Sequence, residues 1–241
     1  MATIAYVGHS TVDIELDGVR LLTDPLLRRR VAHLRRAVPL GAVPQPDAVL
    51  ISHGHYDHLD PASLRLLPGS PRIVAPRGLG ARLRQFDVVE VEVGDELRFG
   101  DVTVKATLAE HDGGRPPWGK GIALGYALLG SRRIYFAGDT DLFAGMDALV
   151  PNLELALVPI WGWGPTLGGG KHLDPVRAAE AVRRLRPKIA VPIHWGTYRP
   201  FHRGARAAFL TEPAAAFAGA VATAAPDVEV RVLRPGETLV L

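Results

Sequence analysis

Six consecutive residues, His53-Gly54-His55-Tyr56-Asp57-His58, limit what this chain can become more than any other feature. They follow an apolar run, Ala48-Val49-Leu50-Ile51-Ser52, that reads as a buried strand. In extended chain His53 and His55 project the same way, because side chains alternate with a period of two. The Asp60-Pro61 pair then opens a helix, with Asp60 as N-cap and Pro61 at the first helical position. That bend carries Asp57 and His58 round towards a neighbouring point. The run can therefore serve two adjacent metal positions, which a straight strand could not. Burying three imidazoles and a carboxylate without a cation is costly, and a plain polar turn has no use for them.

The rest of the composition narrows the ligand chemistry. Cysteine is absent, which excludes disulfides, thiolate zinc sites and a cysteine nucleophile. Any metal must then sit on histidine and carboxylate. The 47% hydrophobic and 22% charged residues describe an ordinary globule, and 241 residues suffice for one sizeable core. The formal net charge of +3 is mild and carried mostly by arginine, so it selects no partner. Met1-Ala2-Thr3-Ile4-Ala5-Tyr6-Val7 reads as a strand and not as a signal peptide. No run of about 18 apolar residues exists to span a membrane. The expected location is the cytoplasm.

Short strands fill the first half: Thr3–Val7, Val12–Leu16, Val19–Thr23, Ala48–Ser52, Arg72–Ala75, Val88–Val93 and Val102–Leu108. Turn residues such as Asp17-Gly18 and Gly94-Asp95 separate them. Further strands are expected at Gly121–Leu129, Arg132–Ala137, Leu153–Ile160, Ile189–His194 and Val228–Leu233. Helices are expected at Ala62–Leu67, at Val176–Leu185 behind Asp174-Pro175, and at the alanine-rich Pro213–Ala224. With no repeat and no linker, residues 1–241 read as one α/β domain with two sheets. One segment stands apart, since Arg28, Arg29, Arg30, Arg35 and Arg36 crowd a stretch with His33. It reads equally as a solvated loop or short helix, or as a basic lip that attracts an anion.

The run at 53–58 meets the His-x-His-x-Asp-His signature of the metallo-β-lactamase superfamily without a mismatch, and the chain resembles that superfamily further downstream. His111 follows the strand Val102–Leu108, Asp139 lies in Gly138-Asp139-Thr140, and His194 closes the strand Ile189–His194. The resemblance implies a four-layer αββα sandwich. It implies one metal on His53, His55 and His111, a second on Asp57, His58 and His194, and Asp139 bridging them. Two ions about 4 Å apart would activate a shared water to hydroxide and clamp charge on the substrate. Asp57 would orient that hydroxide as well as binding metal. Zinc is expected first, with manganese or iron accepted by availability.

Gly8-His9-Ser10-Thr11, Leu22-Thr23-Asp24-Pro25, His172-Leu173-Asp174-Pro175 and His194-Trp195-Gly196-Thr197 look like the branch that contains ascorbate-6-phosphate lactonase. The phospholipase D that cleaves N-acyl-phosphatidylethanolamines belongs to the same branch. By that likeness His172 would lie beside the metals and handle substrate or protons, a catalytic role set against that of a polar helix start. His9 reads as a residue that orients a ligand by hydrogen bond, and Asp24 is similarly placed at a strand end. His33 and His202 read as surface residues. Trp161, Trp163 and Gly168-Gly169-Gly170, and Trp118 after Pro116-Pro117, read either as pocket lining or as packed turns. The lipid-cleaving relatives carry a longer N-terminal region, so their substrate does not transfer. Di-iron oxygen-reducing relatives use Glu where this chain has His55, which argues against redox chemistry.

The expectation is a dinuclear metal-dependent hydrolase that cleaves a small anionic ester, lactone or phosphodiester. Its partner would be that small molecule, with neither a membrane span nor a nucleic acid, and a homo-oligomer is compatible with the reading. The alternative is a nucleic-acid-binding or nuclease-like protein working through Arg28–Arg36, whose binding would fall steeply with salt.

Overall fold

The computed structural model describes residues 1–43, 45–114, 121–161, 172–202 and 208–241. In chain order the first elements are β1 (Ala2–Gly8), β2 (Thr11–Leu16), β3 (Val19–Thr23), β4 (Arg30–Val31), β5 (Leu34–Arg36) and β6 (Ala48–Leu50). There follow α1 (Pro61–Leu64), β7 (Arg72–Pro76), α2 (Gly80–Leu83), β8 (Val88–Val91), β9 (Glu96–Phe99) and β10 (Val102–Leu108). Then come β11 (Leu124–Leu129), β12 (Arg133–Phe136), β13 (Leu155–Pro159), α3 (Pro175–Leu185) and β14 (Ile189–Ile193). The chain ends with β15 (Tyr198–Pro200), α4 (Glu212–Ala224), β16 (Glu229–Val230) and β17 (Thr238–Val240).

Two seven-stranded sheets are built to one plan. The first is ordered β17-β1-β2-β3-β6-β7-β8 and the second β16-β14-β13-β12-β11-β10-β9. Each joins antiparallel hairpins to a parallel run, β3-β6-β7-β8 in the first and β12-β13-β14-β16 in the second. The β2–β3 turn is the Asp17-Gly18 pair, with φ of 51° and 80°. Both residues occupy the left-handed region that a tight two-residue hairpin requires.

Alternation along the strands fixes the layers. Ala48 and Leu50 of β6 face one core while Val49 and Ile51 face another. The first core gathers Ile4, Ile14 and Leu50 from one sheet with Val104, Tyr126 and Phe136 from the other. Helices α3 and α4 join it through Val182, Phe217 and Val221. The second core packs Val49, Ile51 and Ile73 on Leu64, Leu67 and Leu83 around α1 and α2. The result is the expected helix, sheet, sheet, helix order. Tyr6, Tyr126, Tyr135 and Phe136 are wholly buried. Side chains of this size stabilise the fold by about 1.5–3 kcal/mol each.

The helix starts follow their caps. Asp60 accepts a hydrogen bond from the Ser63 N–H at the start of α1. Asp174 accepts from the Val176 and Arg177 N–H groups at the start of α3. Among the described residues no helix is long and apolar enough to cross a membrane.

Several expectations are corrected. Regular pairing in β11 starts at Leu124, and β16 spans only Glu229–Val230. Arg28–Arg36 is neither loop nor helix: β4 and β5 form a hairpin that pairs with β15 in a third, three-stranded sheet. The cause is Arg36, which points inward. Its guanidinium donates to the Val7 carbonyl at 2.6 Å and the Leu26 carbonyl at 3.2 Å, while Val31, Leu34 and Tyr198 bury around Leu26. Trp118, Trp163 and the Gly168–Gly170 stretch lie outside the described residues.

Candidate metal centre

Strands β1, β3 and β6 run in one direction within the first sheet. Strands β10, β12, β13 and β14 likewise share one direction within the second. Their C-terminal ends deliver His9, Asp24 and His53 from the first sheet, and His111, Asp139, Trp161 and His194 from the second. Three of these residues leave their strands in left-handed backbone: His9 at φ 59°, Asp24 at 33° and His194 at 63°. Non-glycine residues hold such angles only where the surroundings enforce them. Here the His194 N–H donates to the His9 carbonyl at 2.7 Å, and the His9 N–H donates to Thr197 Oγ1 at 2.8 Å.

The imidazoles are oriented from behind. His58 Nδ1 lies 2.7 Å from Asp24 Oδ2, and Asp24 also accepts from the Ser52 N–H and hydroxyl. His194 Nδ1 donates to the Trp161 carbonyl at 2.6 Å. His53 Nδ1 meets Ser52 Oγ at 2.9 Å, and His55 Nε2 donates to the Gly114 carbonyl at 3.1 Å. A carbonyl or carboxylate partner fixes the hydrogen on the outer nitrogen and leaves the inner one as a lone pair.

Those inner nitrogens face each other in two pairs. His58 Nε2 and His194 Nε2 are 3.3 Å apart, and so are His55 Nδ1 and His111 Nε2. Two bare lone pairs at this distance repel, so each pair must share either a proton or a metal cation. Two nitrogens bound tetrahedrally to zinc at about 2.05 Å would stand about 3.3 Å apart. The residues present therefore fit a metal. His53 Nε2 and Asp139 Oδ1 are buried with no hydrogen-bond partner, which adds two more free donor atoms.

Carboxylates complete the cluster. Asp139 Oδ2 lies 3.2 Å from His58 Nε2 and 3.4 Å from His172 Nδ1, and its Oδ1 is 3.4 Å from His194 Nε2. Asp57 Oδ2 is 3.2 Å from His9 Nε2 and 3.8 Å from both His58 Nε2 and His194 Nε2. Among the described residues, four overlapping sets have ligand atoms within 4.8 Å of one another. They are His53, His55 and His111; His9, Asp57, His58 and His194; His53, His58 and Asp139; and His111, Asp139 and His172.

The field at the site favours a cation. Burial opposes charge on His58, yet Asp139, Asp24 and Asp57 outweigh it and hold its pKa well above the usual imidazole value. Burial likewise pushes the Asp57 and Asp139 carboxyls up, and the surrounding histidines bring both well below the ordinary range. For His9 burial dominates and lowers the pKa to about 3, so its ring is neutral.

All seven sequence-predicted ligands and His172 thus meet at one point, with His9 and Asp24 against them. His33 and His202 are exposed, and His33 rests on Tyr56 with Nδ1 3.2 Å from the hydroxyl. Trp161 contributes its carbonyl, and its half-buried ring packs on the core. Ser52 and Tyr198 were not foreseen; Tyr198 turns its ring edge to His9 at 5.9 Å. Ser52 carried a sequence signal, since it directly precedes the first histidine.

A sequence profile described as the β-lactamase superfamily domain matches residues 19–195, and with the fold and this cluster it makes the chain a member of the metallo-β-lactamase superfamily. Within it the chain belongs to the UPF0173 metal-dependent hydrolase family. The Symbiobacterium thermophilum protein of that name is 34% identical over 246 residues, covering 99% of both chains. The one from Deinococcus radiodurans is 35% identical over 246 residues with the same coverage. The protein is accordingly an enzyme, a metal-dependent hydrolase. Its fold is shared with a metallo hydrolase from the archaeon Ignicoccus hospitalis (TM-score 0.76, 24% identity, 99% of this chain and 97% of that one). It is shared equally with a diiron β-hydroxylase from Streptomyces venezuelae (TM-score 0.73, 22% identity, 100% of this chain and 54% of that one). Fold alone therefore does not choose the reaction.

Proposed function

We propose that the enzyme holds two divalent ions side by side and cleaves a small anionic ester, lactone or phosphodiester, with residues 1–241 acting as one hydrolase domain. The observation that carries this reading is the two facing pairs of inner nitrogens, each 3.3 Å apart. His53, His55 and His111 would hold one ion, and Asp57, His58 and His194 the other. Asp139, which faces His58, His194 and His172, would lie between them. Zinc suits this set of imidazoles and carboxylates, and manganese or iron would be accepted. When bound, the ions would supply Lewis-acid polarisation of the scissile group and activation of water at neutral pH.

The protein's own groups then have distinct tasks. Asp57, held by His9, would orient the attacking water. His172 is one of the half-buried rings at the cluster, with its side chain 20% exposed. Burial lowers its pKa, against the pull of Asp139, so it stands neutral at pH 7 and could accept the proton released by the attacking water and return it to the leaving group. The lactonase and phosphodiesterase branch supports the substrate class through the 8–11 and 172–175 motifs. The nucleic-acid reading gains nothing, because Arg28 is paired with Asp60 and Arg36 is buried.

Elemental analysis of the purified protein tests the proposal and should return close to two ions per chain. Activity on a panel of phosphodiesters, lactones and thioesters should vanish on chelation and return with metal. Full activity in a metal-free chain would end the reading.

A further inference from the structure

Thr140 and Asp141 directly follow Asp139, and both are buried. Three of their hydrogen bonds go to segments carrying another member of the cluster. Thr140 Oγ1 accepts from the Glu110 N–H at 2.9 Å, and the Asp141 N–H donates to the Glu110 carbonyl at 3.0 Å. Glu110 is the neighbour of His111. The Thr140 carbonyl accepts from the Leu173 N–H at 3.1 Å, and Leu173 is the neighbour of His172. So His111, Asp139 and His172 each stand one residue from a bond to, or within, a single dipeptide. These three are also one of the sets whose ligand atoms converge within 4.8 Å.

The dipeptide is itself locked. Asp141 Oδ1 accepts from the Leu142 N–H at 2.7 Å and from Arg177 Nε at 2.9 Å, with Arg177 Nη2 as a further donor. Arg177 lies in the first turn of α3, where its own N–H is held by the Asp174 cap. One guanidinium thereby ties the loop after β12 to the helix that begins just beyond His172.

We infer that Thr140-Asp141, clamped by Arg177, is a positioning bracket that sets the separation of His111, Asp139 and His172. The inference rests on the metal-centre reading above. A global stabilising role does not account for the arrangement. The Arg177 side chain is 44% exposed and that of Asp141 7%, so water screens one end of the pair and its loss costs less than that of a wholly buried one. Its effect is local, on ligand atoms whose placement must hold within about 0.5 Å. Arg183 supplies the contrast, since on the same helix its guanidinium pairs with Glu180 of that helix at 2.6 Å.

The test measures zinc affinity and stoichiometry of the metal-free chain by competition with a chromogenic chelator, beside the melting temperature without metal. Arg177→Gln and Thr140→Val should each weaken zinc binding by about 10–100-fold, the usual cost of losing a group that orients a ligand. Arg177→Lys should recover part of the loss, Thr140→Ser most of it, and Arg183→Gln should match wild type. Metal-free melting temperatures should stay within about 2–4 °C of wild type. Unchanged affinity in both variants would overturn the bracket. So would an equal loss in Arg183→Gln, or a loss matched by collapse of the metal-free fold. A wild type that binds no zinc pair would instead remove the metal-centre reading, and the bracket with it.

Discussion

One half of the metal centre comes from a single turn, since His53, His55, Asp57 and His58 leave β6 within six residues. The facing half draws His111, Asp139, His172 and His194 from four separate segments of the second sheet and its crossovers. The first half is local: its geometry follows from strand alternation and from the Asp60-Pro61 helix start. The second half is tertiary. It exists only because β10, β12, β13 and β14 run the same way in one sheet, with β11 between the first two, and because backbone bonds tie their ends together. Both facing nitrogen pairs, each 3.3 Å apart, span the halves: His58 meets His194 and His55 meets His111. Each pair sets a locally placed nitrogen against a tertiary one, so the two halves should fail differently.

Asp139 belongs to the tertiary half and reaches His58 of the local one at 3.2 Å, and its loss should have the largest effect. Asp139→Ala is expected to abolish hydrolysis and to bring the metal content below two ions per chain, read by turnover assay and elemental analysis. Retained turnover would mean that the halves do not share this carboxylate.

The halves touch where Gly138 meets Ser52. Gly138 has φ 61°, and a Cβ there would stand 2.7 Å from Ser52 Cβ and 2.9 Å from the Leu124 carbonyl. Gly138→Ala should therefore strain the backbone and push the sheets apart, costing about 2–4 kcal/mol in denaturant unfolding. A loss under about 0.5 kcal/mol would show that the halves are independently seated.

His9 sharpens the comparison, because it serves both sides by different means. Its ring holds Asp57 of the local half, and its carbonyl holds the His194 backbone of the tertiary half. His9→Ala keeps the backbone bond and removes the ring, with its hold on Asp57 and its packing 3.9 Å from the His194 ring. It should weaken one of the two ions by about 10–100-fold, with the ion on His53, His55 and His111 retained. His9→Gln, which keeps an N–H donor, should fall less. Equal weakening of both ions in a titration would mean that Asp57 does not serve one ion alone.

The same division explains what could be read in advance. The run at 53–58, the Asp17-Gly18 hairpin and the Asp60 and Asp174 caps depend on neighbours a few residues away, so local rules find them. His111, Asp139 and His194 were legible only through likeness to a superfamily. The bracket was not legible at all. Thr140, Asp141 and Arg177 are common surface types, and their bonds span 30 to 36 residues. The β4–β5 hairpin was missed for another reason, since its strands of two and three residues carry arginine at a buried position. A rule that sends charge outward reads such a segment as a loop.

That segment supplies the smallest expected effect. Arg28 is held by Asp60 at 2.8 Å and Arg36 by the Val7 and Leu26 carbonyls, so both are occupied inside the fold. Arg29 and Arg30 are the exposed members. If they only solvate the hairpin, the double change Arg29→Gln and Arg30→Gln should alter stability by less than about 0.5 kcal/mol and leave kcat/KM for an anionic ester unchanged. If they steer an anionic substrate, kcat/KM should fall, and the difference from wild type should disappear as salt rises and the Debye length shrinks below about 8 Å. A salt-independent fall would fit neither steering nor simple solvation. It would mean that the hairpin touches the bound substrate, and that a third region belongs beside the two halves.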